Sequence, residues 1–354
     1  MDEVISFLQN AVGIGASDLF IISGLKLSVK IDGVICAVGE ETIMPDTANQ
    51  YVRGLYSLAR RPIEKFDSGD DDFSLSVKGL SRFRVSTYRQ RGSMAAVIRV
   101  VRFDLPDFQT LGIPTEVLTV AQKTRGLVLV TGPAGSGKST TLSYITDTIN
   151  RTRNSHIITI EDPIEFLHRN KQSIVSQREI NVDTDSYLTA LRACLRQAPD
   201  VILLGEMRDL DTIRTSMTAA ETGHLVISTL HTVGAVNTID RIIDVFPPNQ
   251  QQQIRIQLSM ILQTVISQQL IHCDDGRLRP VFEIMHLNSA IRNMIRDSKI
   301  HQVDTVIQSS SSEGMISMDA SIFELFKENL INADTAIKHA HNIEQMERKI
   351  AVVK

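Results

Sequence analysis

The run Gly132-Pro133-Ala134-Gly135-Ser136-Gly137-Lys138-Ser139-Thr140 has the residue types and spacing of a phosphate cradle, G-x-x-x-x-G-K-[ST]. Its glycines let the backbone curl until the N–H groups face inward at an anion. A helical pattern follows, and a helix presents its positive amino end to phosphates. Lys138 can then reach the β- and γ-phosphates, and the Ser139 hydroxyl can ligate Mg2+. A chance glycine-rich turn would account for the glycines alone. It would not account for the apolar strand before them or the acids downstream. Mg·ATP is the expected ligand and hydrolysis the expected reaction.

Hydrolysis needs a base and a holder for the metal. The run Val201-Ile202-Leu203-Leu204-Gly205-Glu206 places Glu206 just past an apolar strand. A carboxylate there can hold an Mg2+-bound water or polarise the attacking one. A second strand ends Thr159-Ile160-Glu161-Asp162-Pro163-Ile164-Glu165. Glu161 is taken as the general base, with Asp162 shaping the turn ahead of Pro163. Exchange of the two acids' roles stays open at this stage. Histidines bracket a further apolar run, in Glu221-Thr222-Gly223-His224 and Ser228-Thr229-Leu230-His231-Thr232. Two histidines seven apart are commonly structural. Read as lying at strand ends on the phosphate side, His224 and His231 both become catalytic candidates. His231 suits a γ-phosphate sensor, because imidazole can donate a hydrogen bond to a phosphate oxygen.

Upstream lie Arg82, Arg84, Arg89, Arg91, Arg99 and Arg102. Residues spaced by two share one face of a strand, so Arg82 and Arg84 point together. This is either a solvated strand face or a guanidinium cluster. In the second case Arg82, Arg84 and Arg99 are candidates to compensate charge on a neighbouring subunit's nucleotide.

Such groups need a scaffold. Apolar runs at 127–130, 157–160, 201–204 and 225–229 alternate with helical patterns. That alternation predicts a mainly parallel sheet covered on both faces. Ligands in such folds gather at the carboxyl ends of the strands. After about residue 250 the pattern is mostly helical. Residues 1–101 read as a separate α+β domain. Val4, Ile5, Leu8 and Val12 have helical spacing, and short strands are expected at 19–22, 27–31, 83–85 and 95–101. Asp32-Gly33, Lys78-Gly79 and Arg91-Gly92 punctuate them. Asp70-Asp71-Asp72 reads as a solvated loop between strands. Residues 102–115, with Pro106, Gly112 and Pro114, read as an interdomain linker, and 116–354 as the second domain.

Composition narrows the classes. A chain of 354 residues makes about two domains, and 42% hydrophobic content supports a sizeable core. A net charge of −4 gives no general attraction to nucleic acid, so no nucleic-acid partner is expected. Cys36, Cys194 and Cys273 form no CxxC pair, and a reducing cytoplasm is their simplest setting. The acidic start Met1-Asp2-Glu3 has no basic signal-peptide region, and no apolar run reaches the roughly 20 residues of a membrane span. Membrane contact is therefore expected through a partner, without direct insertion.

The phosphate loop, the acidic box 160–165, the segment Gly205-Glu206-Met207-Arg208-Asp209 and the two-histidine segment, in this order, resemble the secretion ATPase superfamily. That superfamily drives type IV pili and type II secretion. Phe246-Pro247-Pro248 and Ser267-Gln268-Gln269-Leu270 extend the similarity. Within it, Ala290-Ile291-Arg292-Asn293-Met294-Ile295-Arg296-Asp297 is similar to the AIRNLIRE helix of the pilus retraction ATPases, with departures at Met294 and Asp297. Ile291, Met294 and Ile295 make one apolar face there, and Arg292 and Arg296 are expected to project together at i,i+4. The tetracysteine zinc segment typical of extension and secretion ATPases cannot form from three cysteines. Departures occur at Leu25-Lys26-Leu27-Ser28-Val29-Lys30, in place of a Pro-containing stretch, and at Ala134, in place of a common threonine.

The resemblance implies a PAS-like domain, then a RecA-like P-loop domain with a helical carboxyl-terminal region, assembled as a homohexameric ring. It implies a motor that couples Mg·ATP hydrolysis to pilus retraction. The ring would lie at the cytoplasmic face of the inner membrane, against the pilus platform protein and the pilus machinery. A secretion or extension ATPase and a non-hydrolysing regulatory module are the rival expectations. Intact Lys138, Glu161 and Glu206 argue against the second.

Overall fold

A computed structural model describes residues 2–31, 33–101, 105 and 111–353. The chain divides into two compact units, Met1–Asp104 with Glu165–Leu167, and Leu105–Ile164 with His168–Lys354. Asp32 of the expected turn, Arg102, and linker residues 102–104 and 106–110 lie outside the described residues.

The first unit runs α1 (Asp2–Gly13), β1 (Asp18–Ile21), β2 (Lys26–Ile31), β3 (Val34–Thr42), α2 (Pro45–Leu58), β4 (Asp70–Val77), β5 (Ser81–Gln90) and β6 (Ser93–Val101). Its six strands form one antiparallel sheet in the order β3-β2-β1-β6-β5-β4. Helix α1 buries Val4, Phe7, Leu8 and Ala11, the i, i+3, i+4, i+7 stripe that makes one face of a helix apolar. Strand β5 buries Phe83 and Val85 and turns Arg84 outward, as period-two alternation requires.

Asp70-Asp71-Asp72 is not a loop: these residues open β4. Asp71 is why an acidic triplet can enter a sheet. Its carboxylate accepts hydrogen bonds from Arg61 Nε at 2.8 Å and Nη2 at 2.6 Å, and from the Tyr56 hydroxyl at 2.9 Å.

The second unit comprises α3 (Thr115–Leu118), β7 (Gly126–Thr131), α4 (Lys138–Thr152), β8 (His156–Glu161), β9 (Ile174–Glu179), α5 (Tyr187–Cys194), β10 (Val201–Leu204), α6 (Leu210–Glu221), β11 (Leu225–Leu230), α7 (Ala235–Asp244), α8 (Pro248–Ile261), β12 (Leu262–His272), β13 (Leu278–His286), α9 (Ser289–Arg296), α10 (Val303–Ser309), α11 (Met318–Lys327), α12 (Ala333–His339) and α13 (Ile343–Val353). Seven strands lie in the order β13-β12-β7-β11-β10-β8-β9. Every pair is parallel except β12 with β13.

Both faces of this sheet are covered, which is why its strands read as unbroken apolar runs. Leu127, Leu129, Ile158, Ile160, Ile202 and Leu204 pack with residues of α5, α6, α7 and α8. The alternate residues Val128, Val130, Ile157, Val201 and Leu203 pack with Leu142, Ile145 and Ile149 of α4. The four apolar runs are β7, β8, β10 and β11. Strand β9 and the β12–β13 pair are additional, the pair standing inside the otherwise helical stretch after residue 250.

Helix α9 buries Ile291 and Ile295 on its apolar face. Its arginines do not project together. Arg292 Nη1 donates to the carbonyls of Ser259 and Met260 in the last turn of α8. Those carbonyls have no partner within their own helix, and a guanidinium satisfies them. Arg296 is half exposed and donates to Asn293 Oδ1 at 2.9 Å. Arg292→Ala is therefore expected to destabilise the fold by about 0.5–1.5 kcal/mol. Arg296→Ala should stay within about 0.5 kcal/mol of the parent. Urea denaturation of the two variants checks this, and equal midpoints would remove the capping role.

Candidate functional site

Strand β7 lies between β12 and β11, at the middle of the sheet, and runs directly into the glycine-rich loop. Gly132, Gly135 and Gly137 have φ of 142°, 76° and 88°, conformations that residues with a Cβ rarely adopt. At Gly132 and Gly137 a Cβ would also be crowded. At Gly132 it would stand 2.1 Å from the Gln268 carbonyl oxygen, and at Gly137 2.9 Å from Gln268 Nε2. Thr141 Oγ1, one turn into α4, donates to Gln268 Oε1 at 2.7 Å. Gln268 of β12 thus pins the loop from its flank. Sequence reasoning gave it no role. Its signals are the polar break Ser267-Gln268-Gln269 inside an apolar strand and the place of that segment in the family resemblance.

Lys138 Nζ donates to the Gly132 and Pro133 carbonyls, both at 2.8 Å, across the mouth of the loop. Ser136 is 2% exposed, and its hydroxyl has no hydrogen-bond partner among the described residues. A buried hydroxyl with no partner in the chain suits a ligand oxygen. Pro133, Ala134 and Gly135 form an exposed tip, while Ser139 and Thr140 stand in the first turn of α4. Beside the loop opens a cleft of about 520 Å³, lined in part by Gly137, Thr140, Leu278 and Arg279. Small-ligand sites have volumes of this order.

Two strands away, the Gly205–Asp209 segment leaves β10. Strand β11 staples it: Ser228 Oγ donates to the Leu204 carbonyl at 2.9 Å, and Thr229 Oγ1 donates to the Gly205 carbonyl. Asp209 caps α6, its Oδ1 accepting from the Thr212 N–H at 2.8 Å. Glu206 Oε2 sits 2.6 Å from Arg208 Nε and 3.5 Å from His231 Nε2. Arg208 was part of the recognised segment but carried no assigned role. On the neighbouring strand, Glu161 Oε1 accepts from Thr159 Oγ1 at 2.6 Å and Gln177 Nε2 at 3.2 Å. Thr159 lies two residues earlier on the same face of β8, so the strand itself aims this carboxylate.

The structure therefore brings the loop, Glu161, Glu206 and His231 to the carboxyl ends of neighbouring parallel strands, where α/β folds hold ligands. His224 is not among them. It precedes β11, and its carbonyl accepts from the N–H of Gly126 at the start of β7. Six residues of strand, roughly 20 Å, separate it from the phosphate side. Its Nδ1 lies 3.0 Å from the Ala219 carbonyl, so it ties the end of α6 to the sheet.

The arginine candidates lie in the first unit. Register places Arg84 of β5 directly opposite Arg99 of β6, and Arg99 opposite Asp18 of β1. Asp18 Oδ1 neutralises Arg99 at 2.9 Å. Arg82 Nη1 lies 3.4 Å from Ser76 Oγ. Arg84 is exposed and has no ion-pair partner among the described residues.

Comparison with known proteins agrees with this architecture. The chain is 44% identical over 331 residues to the type IV pilus retractation ATPase PilT of Pseudomonas aeruginosa, covering 92% of this chain and 94% of that protein. It is 46% identical over 276 residues to a twitching motility protein of Neisseria gonorrhoeae, covering 78% and 74%. A crystal structure of the pilus retraction motor PilT with bound ADP superposes with a TM-score of 0.87 at 43% identity, covering 98% of each chain. The family model for type II/IV secretion system proteins matches residues 2–352, and the chain belongs to that family.

Proposed function

We propose that this chain is a motor ATPase of type IV pilus retraction. The observation that carries the reading is the gathering of Lys138, Glu161, Glu206 and His231 along one edge of the parallel sheet, beside a loop built for phosphate. Near full-length similarity to relatives named for retraction, and similarity over 78% of this chain to one named for twitching, support the direction of work.

In this reading ATP lies along residues 132–140, its phosphates against the loop N–H groups and the amino end of α4. Lys138 leaves the Gly132 and Pro133 carbonyls for the β- and γ-phosphates, and the buried Ser136 hydroxyl gains an acceptor. Mg2+, where bound, neutralises phosphate charge; it takes its ligands chiefly from phosphate oxygens and water, which the single hydroxyl of Ser139 and the carboxylate of Glu206, through water, would complete. Glu161 takes the proton of the attacking water. His231, next to Glu206, reports the γ-phosphate.

The assembly is a homohexamer. A PAS-like domain (1–101), a linker (102–115) and a RecA-like domain (116–354) make up each subunit. The ring works at the cytoplasmic face of the inner membrane against the pilus platform protein. Deleting the gene in its own organism is expected to leave cells hyperpiliated and unable to twitch. Cells that lose pili altogether would instead point to an extension or secretion ATPase.

A further inference from the structure

Among the described residues, one polar group near the acids takes part in no hydrogen bond and has no role in the reading above. Tyr187 is the first residue of α5, behind the cap Ser186, whose side chain accepts from the Thr189 N–H. Its ring packs against the core beneath β8 and β10. Its hydroxyl emerges at the strand ends. A Cβ built on Gly205 would lie 2.8 Å from Tyr187 Oη, 3.3 Å from the Ile160 carbonyl and 3.5 Å from Glu161 Cα. The phenol oxygen therefore sits over the point where β8 and β10 deliver Glu161 and Glu206, and Gly205 leaves it room.

We propose that Tyr187 is a positioning residue of the hydrolytic site: with nucleotide bound, its hydroxyl, which makes no hydrogen bond among the described residues, donates to the carboxylates at the ends of β8 and β10, Glu206 foremost, and orients them toward the water. The inference rests on the ATPase reading above.

Three features favour Tyr187 over Arg208 as the donor that orients Glu206 during hydrolysis. The Arg208 side chain is 75% exposed, so water competes for its contact with Glu206. The tyrosine ring has two rotatable bonds and is held by packing. Gly205, with no side chain, also leaves the phenol oxygen its place beside the ends of β8 and β10. If packing alone explained Tyr187, phenylalanine would serve equally well.

Tyr187→Phe in the full-length chain removes one oxygen and keeps the ring. Its kcat for ATP is expected to fall about tenfold, the size of a lost charge-assisted hydrogen bond. KM for ATP and the affinity for a non-hydrolysable ATP analogue should stay within about twofold, with an unchanged melting temperature. Parent-like kcat overturns the inference. So does a loss carried by KM, or one that tracks a lowered melting temperature, since either marks a structural role. Lys138→Ala and Glu206→Gln, assayed alongside, separate the two levels of argument. If both are inactive while Tyr187→Phe is at full rate, only the role of Tyr187 fails. If both retain turnover, the site reading fails and takes this inference with it.

Discussion

Lys138→Ala is expected to lower ATP turnover by about 100-fold or more, the scale reached when a donor to developing charge is deleted from a prepared site. The lysine spans the loop mouth with hydrogen bonds to Gly132 and Pro133, so its cation is already stationed where phosphate arrives. Truncation leaves the loop backbone standing. Gly132 and Gly137 still pack on Gln268, and Thr141 still holds Gln268 from α4. Folding stability should therefore change little. Lys138→Gln makes the test sharper. It retains donors for the two loop carbonyls but lacks the charge, and its turnover should fall as far as that of the alanine variant. Phosphate release, nucleotide binding and thermal melting on the same preparations check the claim. Near-parental turnover in either variant would remove the loop from the chemistry.

What the sequence reveals of this fold tracks how local the cause is. The phosphate loop is legible because its three positive-φ glycines and the lysine fall within nine consecutive residues. Strands β7, β8, β10 and β11 are legible because burial on both faces leaves them apolar throughout. Strand β12 is hidden by its neighbour. Helix α8 ends at Ile261 and β12 begins at Leu262, with no glycine or proline between them. Strand β9 lies at the sheet's edge with only one of its residues buried, so its pattern is mixed.

The misplacement of His224 has a topological cause. In a parallel sheet, a residue that precedes a strand lies at the edge opposite one that follows it, so His224 and His231 cannot share a site within one chain. Arg292 fails for a different reason. Its i,i+4 spacing to Arg296 is real, but the carbonyls of Ser259 and Met260 are brought to it by tertiary packing, which no local pattern encodes. Gln268 is similar: 127 residues separate it from Thr141, and only the sheet order places it against the loop.

The arginines lead to the second large expected effect, one exerted on a neighbouring subunit's nucleotide. Arg84 and Arg99 face each other across β5 and β6, and like charges directly opposite in a sheet are unfavourable. Among the described residues, only one of them has an ion-pair partner. Asp18 takes Arg99 at 2.9 Å, while Arg84 stands exposed and without an ion pair among the described residues. An uncompensated guanidinium in that position is available to an outside anion, and the γ-phosphate bound by a neighbouring subunit is the anion a ring would supply. Guanidinium groups delivered in trans can raise phosphoryl-transfer rates by several orders of magnitude. Arg84→Ala should therefore lower kcat about 100-fold or more while ATP binding changes less than about threefold. For the parent, the rate per subunit should climb with protein concentration and then level off. Arg99→Ala should act differently, by leaving Asp18 without its partner in the first unit. Mixing gives the decisive test. Lys138→Ala subunits retain Arg84, and Arg84→Ala subunits retain the phosphate loop, so rings assembled from both should recover part of the activity that each lacks alone. A concentration-independent rate from a proven monomer, or a mixture no more active than its parts, would show that Arg84 does not serve a neighbour's nucleotide.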